Sequence, residues 1–141
     1  MKSTHFIFLL SLTLFFSCEK EGETPTDPVE DDFVPTPTTT VLKAGEFTNV
    51  AHKVTGKATI YQTGGTKTLV LDPFTTENGP DLYVYLSSDT KASKFVSLGK
   101  LKSTNGKQSY EISSDTMLDD FSYAIVWCED FSVNFGNAEL K

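Results

Sequence analysis

Arginine is absent from the 141 residues, and cysteine and histidine occur only twice each. Twelve lysines stand against nineteen acids, a formal charge of −7. A nucleic-acid binder needs a basic face to displace counterions from phosphates, so that class is excluded as a partner. Two cysteines are too few for a disulfide-stapled scaffold, and no CxxC or HExxH spacing proposes a zinc site. No GxSxG or Ser/His/Asp arrangement occurs, and so few histidines leave little general-base chemistry. A conventional hydrolytic enzyme is therefore not expected.

Long apolar runs are also scarce. The longest, Phe6–Phe16, covers eleven residues interrupted by Ser11 and Thr13 and follows a positive Lys2. A spanning helix needs about 20 apolar residues, so residues 1–17 read as a signal peptide. The run ends Phe15-Phe16-Ser17-Cys18. Phe15 is a poor −3 residue for ordinary secretory cleavage, and the stretch instead resembles a bacterial lipobox, with bulkier residues than usual before the cysteine. That resemblance makes Cys18 the acylated N-terminus of the mature chain, with the membrane as its partner through the lipid. The Lys/acidic cluster at residues 19–23 resembles a surface-export signal. The expected location is the cell envelope, lipid-anchored at the outer membrane and open to surface exposure.

Residues 19–40 hold seven acids against one lysine, with four of the six prolines and a threonine run at Thr38–Thr40. Such a composition offers little apolar surface to offset ordering entropy, and residues 18–40 read as a disordered or extended tether. Residues 41–141 carry ten lysines against twelve acids, so most of the acidity belongs to the tether.

From Val41 onward the chain is rich in Val, Ile, Thr, Phe and Tyr, with eight of the nine glycines. Alternation predicts strands at Lys57–Gln62 and Thr68–Leu71, joined by a hairpin at Gly64-Gly65. Further strands are expected at Asp81–Leu86, Phe95–Leu98, Lys107–Ile112, Phe121–Cys128 and Phe131–Phe135. Asn105-Gly106 is expected to turn between the second and third of these, and Glu129-Asp130 between the last two. In Phe121–Cys128 the alternation puts Phe121, Tyr123, Ile125 and Trp127 on one face and Ala124, Val126 and Cys128 on the other; both are mainly apolar, and the strand reads as central. The expected fold is one all-β domain, an antiparallel β-sandwich or flattened β-barrel.

Several fragments then occur in order: Gly45-Glu46-Phe47, His52-Lys53-Val54-Thr55-Gly56, the stretch from Asn78 to Leu86, Leu98-Gly99-Lys100-Leu101, the stretch from Asn105 to Ile112, and that from Ile125 to Gly136. Together they resemble the electron-transfer DM-thirteen family, found on bacterial lipoproteins and in extracellular proteins of the Skeletor type. The resemblance covers about residues 43–140. It implies a β-rich extracellular domain whose characteristic cysteine, here Cys128, does redox work as a thiol or as a ligand to a prosthetic group such as haem, and it places the family's histidine on His52.

Cys128 is the one thiol remaining once Cys18 is acylated. Its alternatives are a buried packing residue, a haem or metal ligand, and a redox thiol or thiol-linked dimer. The adjacent Glu129 and Asp130 disfavour a thiolate and so favour a bound cofactor over a naked nucleophile. Tyr83, Tyr85 and Trp127 either line a stacking surface or pack a second sheet face. No EF-hand spacing supports calcium at Asp81 or Asp119-Asp120. Two functions remain open at this point: an envelope electron-transfer module using Cys128, with a redox partner, and a non-catalytic ligand-binding or adhesion module with Cys128 in the core.

Overall fold

The computed structural model describes residues 22–141; the expected signal peptide and the lipidation expected at Cys18 lie outside the described residues. Nine strands form one curled sheet: β1 (Val29–Glu30), β2 (Thr39–Asn49), β3 (Val54–Thr63), β4 (Thr66–Thr76), β5 (Leu82–Ser87), β6 (Phe95–Lys100), β7 (Gly106–Ile112), β8 (Tyr123–Cys128) and β9 (Val133–Glu139). Their order is β1-β7-β4-β3-β2-β9-β8-β5-β6. Every pairing is antiparallel except β1 with β7. The only helix among the described residues is a single 3-10 turn, Leu118–Asp120. This is the all-β architecture expected from the alternation, a sheet curled into a half-barrel around one core.

The period-two pattern explains the core. Leu82, Val84 and Leu86 of β5 face inward beside Ala124, Val126 and Cys128 of β8, while Ile60 and Leu71 of β3 and β4 join the same core from the other half. Phe74 meets Phe47 edge-on at 5.4 Å between ring centroids. β2 is the seam between the halves. Its first part pairs with β3 and its last three residues with β9. No strand is legible there from the sequence, because Val41 and Leu42 are exposed and only Phe47 is buried.

Three local expectations are corrected. Asn105-Gly106 is not a hairpin turn: β6 pairs with β5, β7 pairs with β4, and Gly106 opens β7 with φ +101°. The strand expected at Phe131–Phe135 starts at Val133, and Phe131 lies exposed in the turn before it. Phe121 joins the core face with Ala124 rather than the face of Tyr123.

The segment read as a disordered or extended tether is, from Gly22, held against the sheet. The Val29 amide donates to the Asn105 carbonyl and the Asp31 amide to the Lys107 carbonyl. Ser103 Oγ donates to the Asp27 carbonyl at 2.6 Å, and Lys107 Nζ donates to the Phe33 carbonyl. Phe33 packs on Tyr61 at 5.1 Å. The arm covers the edge of β7, and that is why an acidic, proline-rich stretch orders here: β7 offers unpaired backbone groups, and its flank offers lysines.

Asp31 is the electrostatic pin of this arm. Its Oδ2 accepts from Lys102 Nζ at 3.0 Å and from the Ser109 amide at 3.2 Å. Burial pushes the carboxyl up, but the hydrogen bonds from Ser109, Lys102 and Phe33 outweigh it and hold the pKa at about 2. A depressed carboxyl stabilises the fold above its unfolded pKa and loses that contribution as pH falls through the folded one. Asp31→Asn is therefore expected to lower stability by about 1 kcal/mol near neutrality, after discounting for solvent screening. The difference from wild type should close as pH falls from 3.8 to about 2, read by denaturant unfolding at each pH.

Candidate functional site

Cys128 ends β8 with no solvent exposure. Its Sγ–H donates to the Pro80 carbonyl at 3.1 Å, and the residue pairs with Leu82 on one side and Val133 on the other. The arm closes this end as well. Glu23 bridges Pro80, and the Asp81 amide donates to the Gly22 carbonyl at 2.7 Å. The adjoining cleft, between Gly22–Pro25 and Asp81, Leu82, Lys100 and Leu101, holds about 50 Å³ and is not lined by the sulfur. A small-molecule site runs to about 300–1,000 Å³. Wider clefts, of about 480 and 430 Å³, are lined by other residues. The buried sulfur, already hydrogen-bonded, does not fit a haem or metal ligand, nor does it offer a thiol for a linked dimer.

His52 is not brought into one ligand set with Cys128. Its Nδ1 meets Glu77 Oε2 at 2.9 Å, and its ring stacks on Phe135 with centroids 3.9 Å apart. The hydrogen bond from His52 holds the Glu77 carboxyl below its usual range. Phe135 also fills the space at Gly79, where an added Cβ would lie 2.5 Å from its ring. His52, Phe135 and Gly79 thus pack around the turn whose Pro80 carbonyl accepts the thiol's hydrogen bond. Among the described residues no group of three His, Cys, Asp or Glu side chains is placed to hold a metal ion.

The other face of the same strands carries a different arrangement. Register puts Tyr83 opposite Trp127 and Tyr85 opposite Ile125, all pointing away from the core. Tyr85 is only 2 % exposed, because Phe95 stacks on it at 4.3 Å and Trp127 at 6.0 Å. Tyr83 lies 6.3 Å from Tyr85, with Lys100 Nζ over its ring at 5.9 Å. The Tyr85 hydroxyl donates to Glu129 Oε1 at 2.5 Å. Burial, then the Glu129 carboxylate, push the Tyr85 pKa up, so the phenol keeps its proton at all ordinary pH.

At the rim, Lys100 donates to Asp81 at 3.0 Å and holds that carboxyl down. Desolvation, then the hydrogen bond with Asp81, push the Asp130 carboxyl up. Asp120 is paired with Lys94 at 2.8 Å. These carboxylates are engaged with lysines or with each other, and none forms a calcium cage.

Residues 46–140 match the family model described as Electron transfer DM13. The chain belongs to that family. No curated protein and no solved structure matches it. The DM13 domain therefore spans the sheet from within β2 to the residue after β9, and both Cys128 and the aromatic face lie inside it. Tyr83, Tyr85 and Trp127 are visible in the sequence as a stacking candidate. Phe95 and Glu129 are not, because their roles follow from cross-strand neighbours that only the β5–β6 and β5–β8 registers define.

Proposed function

We propose that this protein is a lipid-anchored envelope lipoprotein whose DM13 domain exchanges single electrons through the aromatic face of β5, β6 and β8. The observation that carries this reading is the Phe95–Tyr85–Trp127 stack: two oxidisable rings in contact, one half-buried at the surface and one shielded behind it. The family supplies electron transfer as the class of activity. Cys128, buried on the opposite face, serves as a packing residue that fixes the end of β8 against Pro80.

In this reading Cys18 carries the acyl chains, at the outer membrane. The arm engages the domain from Gly22, four residues later, so at full stretch about 14 Å of chain separates lipid from domain. The domain then sits close to the bilayer, with the Asp81 end nearest the anchor. Its partner is a redox protein reaching it along the membrane surface.

Protein-film voltammetry of the full chain tests the reading. A reversible one-electron wave is expected, and an irreversible or absent wave in folded protein would refute it. A second reading, a ligand-binding or adhesion module, is favoured by the exposure of Phe95 (46 %) beside half-buried Tyr83 and Trp127, a platform on which a sugar ring could stack. It predicts no wave and a Trp127 fluorescence change on titration with envelope glycans.

A further inference from the structure

Tyr85 and Tyr110 form an internal comparison. Both are buried phenols, 2 % and 5 % exposed, and both donate a short hydrogen bond. Tyr110 donates to the Gln108 side-chain carbonyl at 2.6 Å, and its oxygen in turn accepts from the Lys102 amide. A neutral amide cannot hold a proton. Losing an electron would therefore leave Tyr110 as a charged radical cation in the core, an expensive state at low dielectric. Tyr85 donates to a carboxylate, which can take the proton, and its partner Glu129 is exposed, so the proton has a path to water. Glu129 sits in the turn after β8, where its amide donates to the Asp81 carbonyl at 3.1 Å; that bond fixes the backbone from which the carboxylate reaches Tyr85. Trp127 offers the electron a route outward: it stacks on Tyr85 and is itself half-buried.

We propose that Tyr85 and Glu129 are a proton-coupled redox pair, with Trp127 as the electron relay between Tyr85 and a high-potential metal-centre oxidant on a partner protein. This rests on the electron-transfer reading above. The metal centre takes one electron from the Trp127 indole and is reduced. The indole radical cation takes one electron from Tyr85, as the phenolic O–H bond breaks and an O–H bond forms on Glu129. The products are a neutral phenoxyl radical, a neutral Glu129 carboxylic acid and the one-electron-reduced metal centre. Return of an electron from a one-electron donor re-forms the phenol and restores the carboxylate. The Tyr85 ring itself carries no net charge in either oxidation state, which is the physical advantage of placing a proton acceptor 2.5 Å from the hydroxyl.

The test uses the full chain and photogenerated tris(bipyridine)ruthenium(III) as the metal-centre oxidant, with the radical read by electron paramagnetic resonance and its rise by transient absorption. Wild type should give a tyrosyl signal, with a slower rise in deuterium oxide. Tyr85→Phe should remove most of that signal, although Tyr110 and three other tyrosines remain. Glu129→Gln should slow the rise about a hundredfold, the range of a lost general base, and Glu129→Asp should recover part of it. A merely structural Glu129 would leave both the rate and the isotope effect unchanged. An undiminished signal in Tyr85→Phe, or a wild-type rise in Glu129→Gln, would overturn the pair while leaving the voltammetric wave of the electron-transfer reading intact. Loss of the wild-type wave itself would overturn that reading.

Discussion

Gly136→Val is expected to lower stability by about 3 kcal/mol, enough to remove a large share of the margin of a domain this size. An added Cβ at Gly136 would lie 2.6 Å from Val54 Cβ and 2.8 Å from the Thr48 carbonyl. Neither neighbour can retreat. Val54 is 1 % exposed in the core, and Thr48 is held in the three-residue pairing of β2 with β9 that joins the halves of the sheet. Gly45, on the same seam, is similarly confined, with the Glu139 carbonyl 2.1 Å from a would-be Cβ. The seam is tight because β2 changes partners within a few residues, bringing β3 and β9 close together. Urea unfolding should show the midpoint falling by about 1–3 M for Gly136→Val. Gly65→Ala, which meets nothing within 4 Å, should move it little. Equal midpoints for the two variants would contradict the packing described at the seam.

Gly106→Ala is expected to release the arm while leaving the sheet folded. A methyl at this position would sit 2.1 Å from the Val29 carbonyl oxygen, and φ +101° is itself strained for alanine. On its other side β7 is held by five residue pairs with β4, whereas β1 contributes only two, so the weaker side yields. The amides of Val29, Asp31, Thr104 and Ser109, all bonded between arm and domain, should lose roughly a hundredfold in hydrogen-exchange protection. Amides of the β3–β4 ladder should keep theirs. Release also bares an edge strand, so the variant should self-associate on gel filtration. Loss of protection spread evenly over the sheet would instead mean that the arm and domain unfold together.

The strand pattern of the domain was legible where one face is apolar and the other mixed. β5 reads directly from Leu82, Val84 and Leu86, and β8 from its two apolar faces. β2 was hidden because pairing on both sides, rather than burial of its side chains, holds it in place. The arm was hidden for a related reason. Composition correctly says that it cannot build a core, but it does not say that a waiting strand edge and Lys102 supply bonds from outside the segment. Asn105-Gly106 carries the usual chemistry of a hairpin, yet the glycine is there for the close approach of Val29. At the site, the sequence correctly singled out Cys128 as the one thiol in the domain. What surrounds that thiol, a carbonyl and two flanking strands, is a matter of register that spacing along the chain does not encode. The aromatic residues were visible, but the partnership of Tyr85 with Glu129, 44 positions apart, was not.

In the proposed function electrons enter and leave through the aromatic face and not through the cysteine. Voltammetry of the folded full chain carrying Cys128→Ser, beside one carrying Trp127→Leu, tests this most directly. Cys128→Ser should keep the reversible wave of wild type, at some loss of thermal stability, and Trp127→Leu should slow electron exchange by at least about tenfold, one decade of rate being about 1.4 kcal/mol of barrier. A wave abolished by Cys128→Ser and untouched by Trp127→Leu would contradict it.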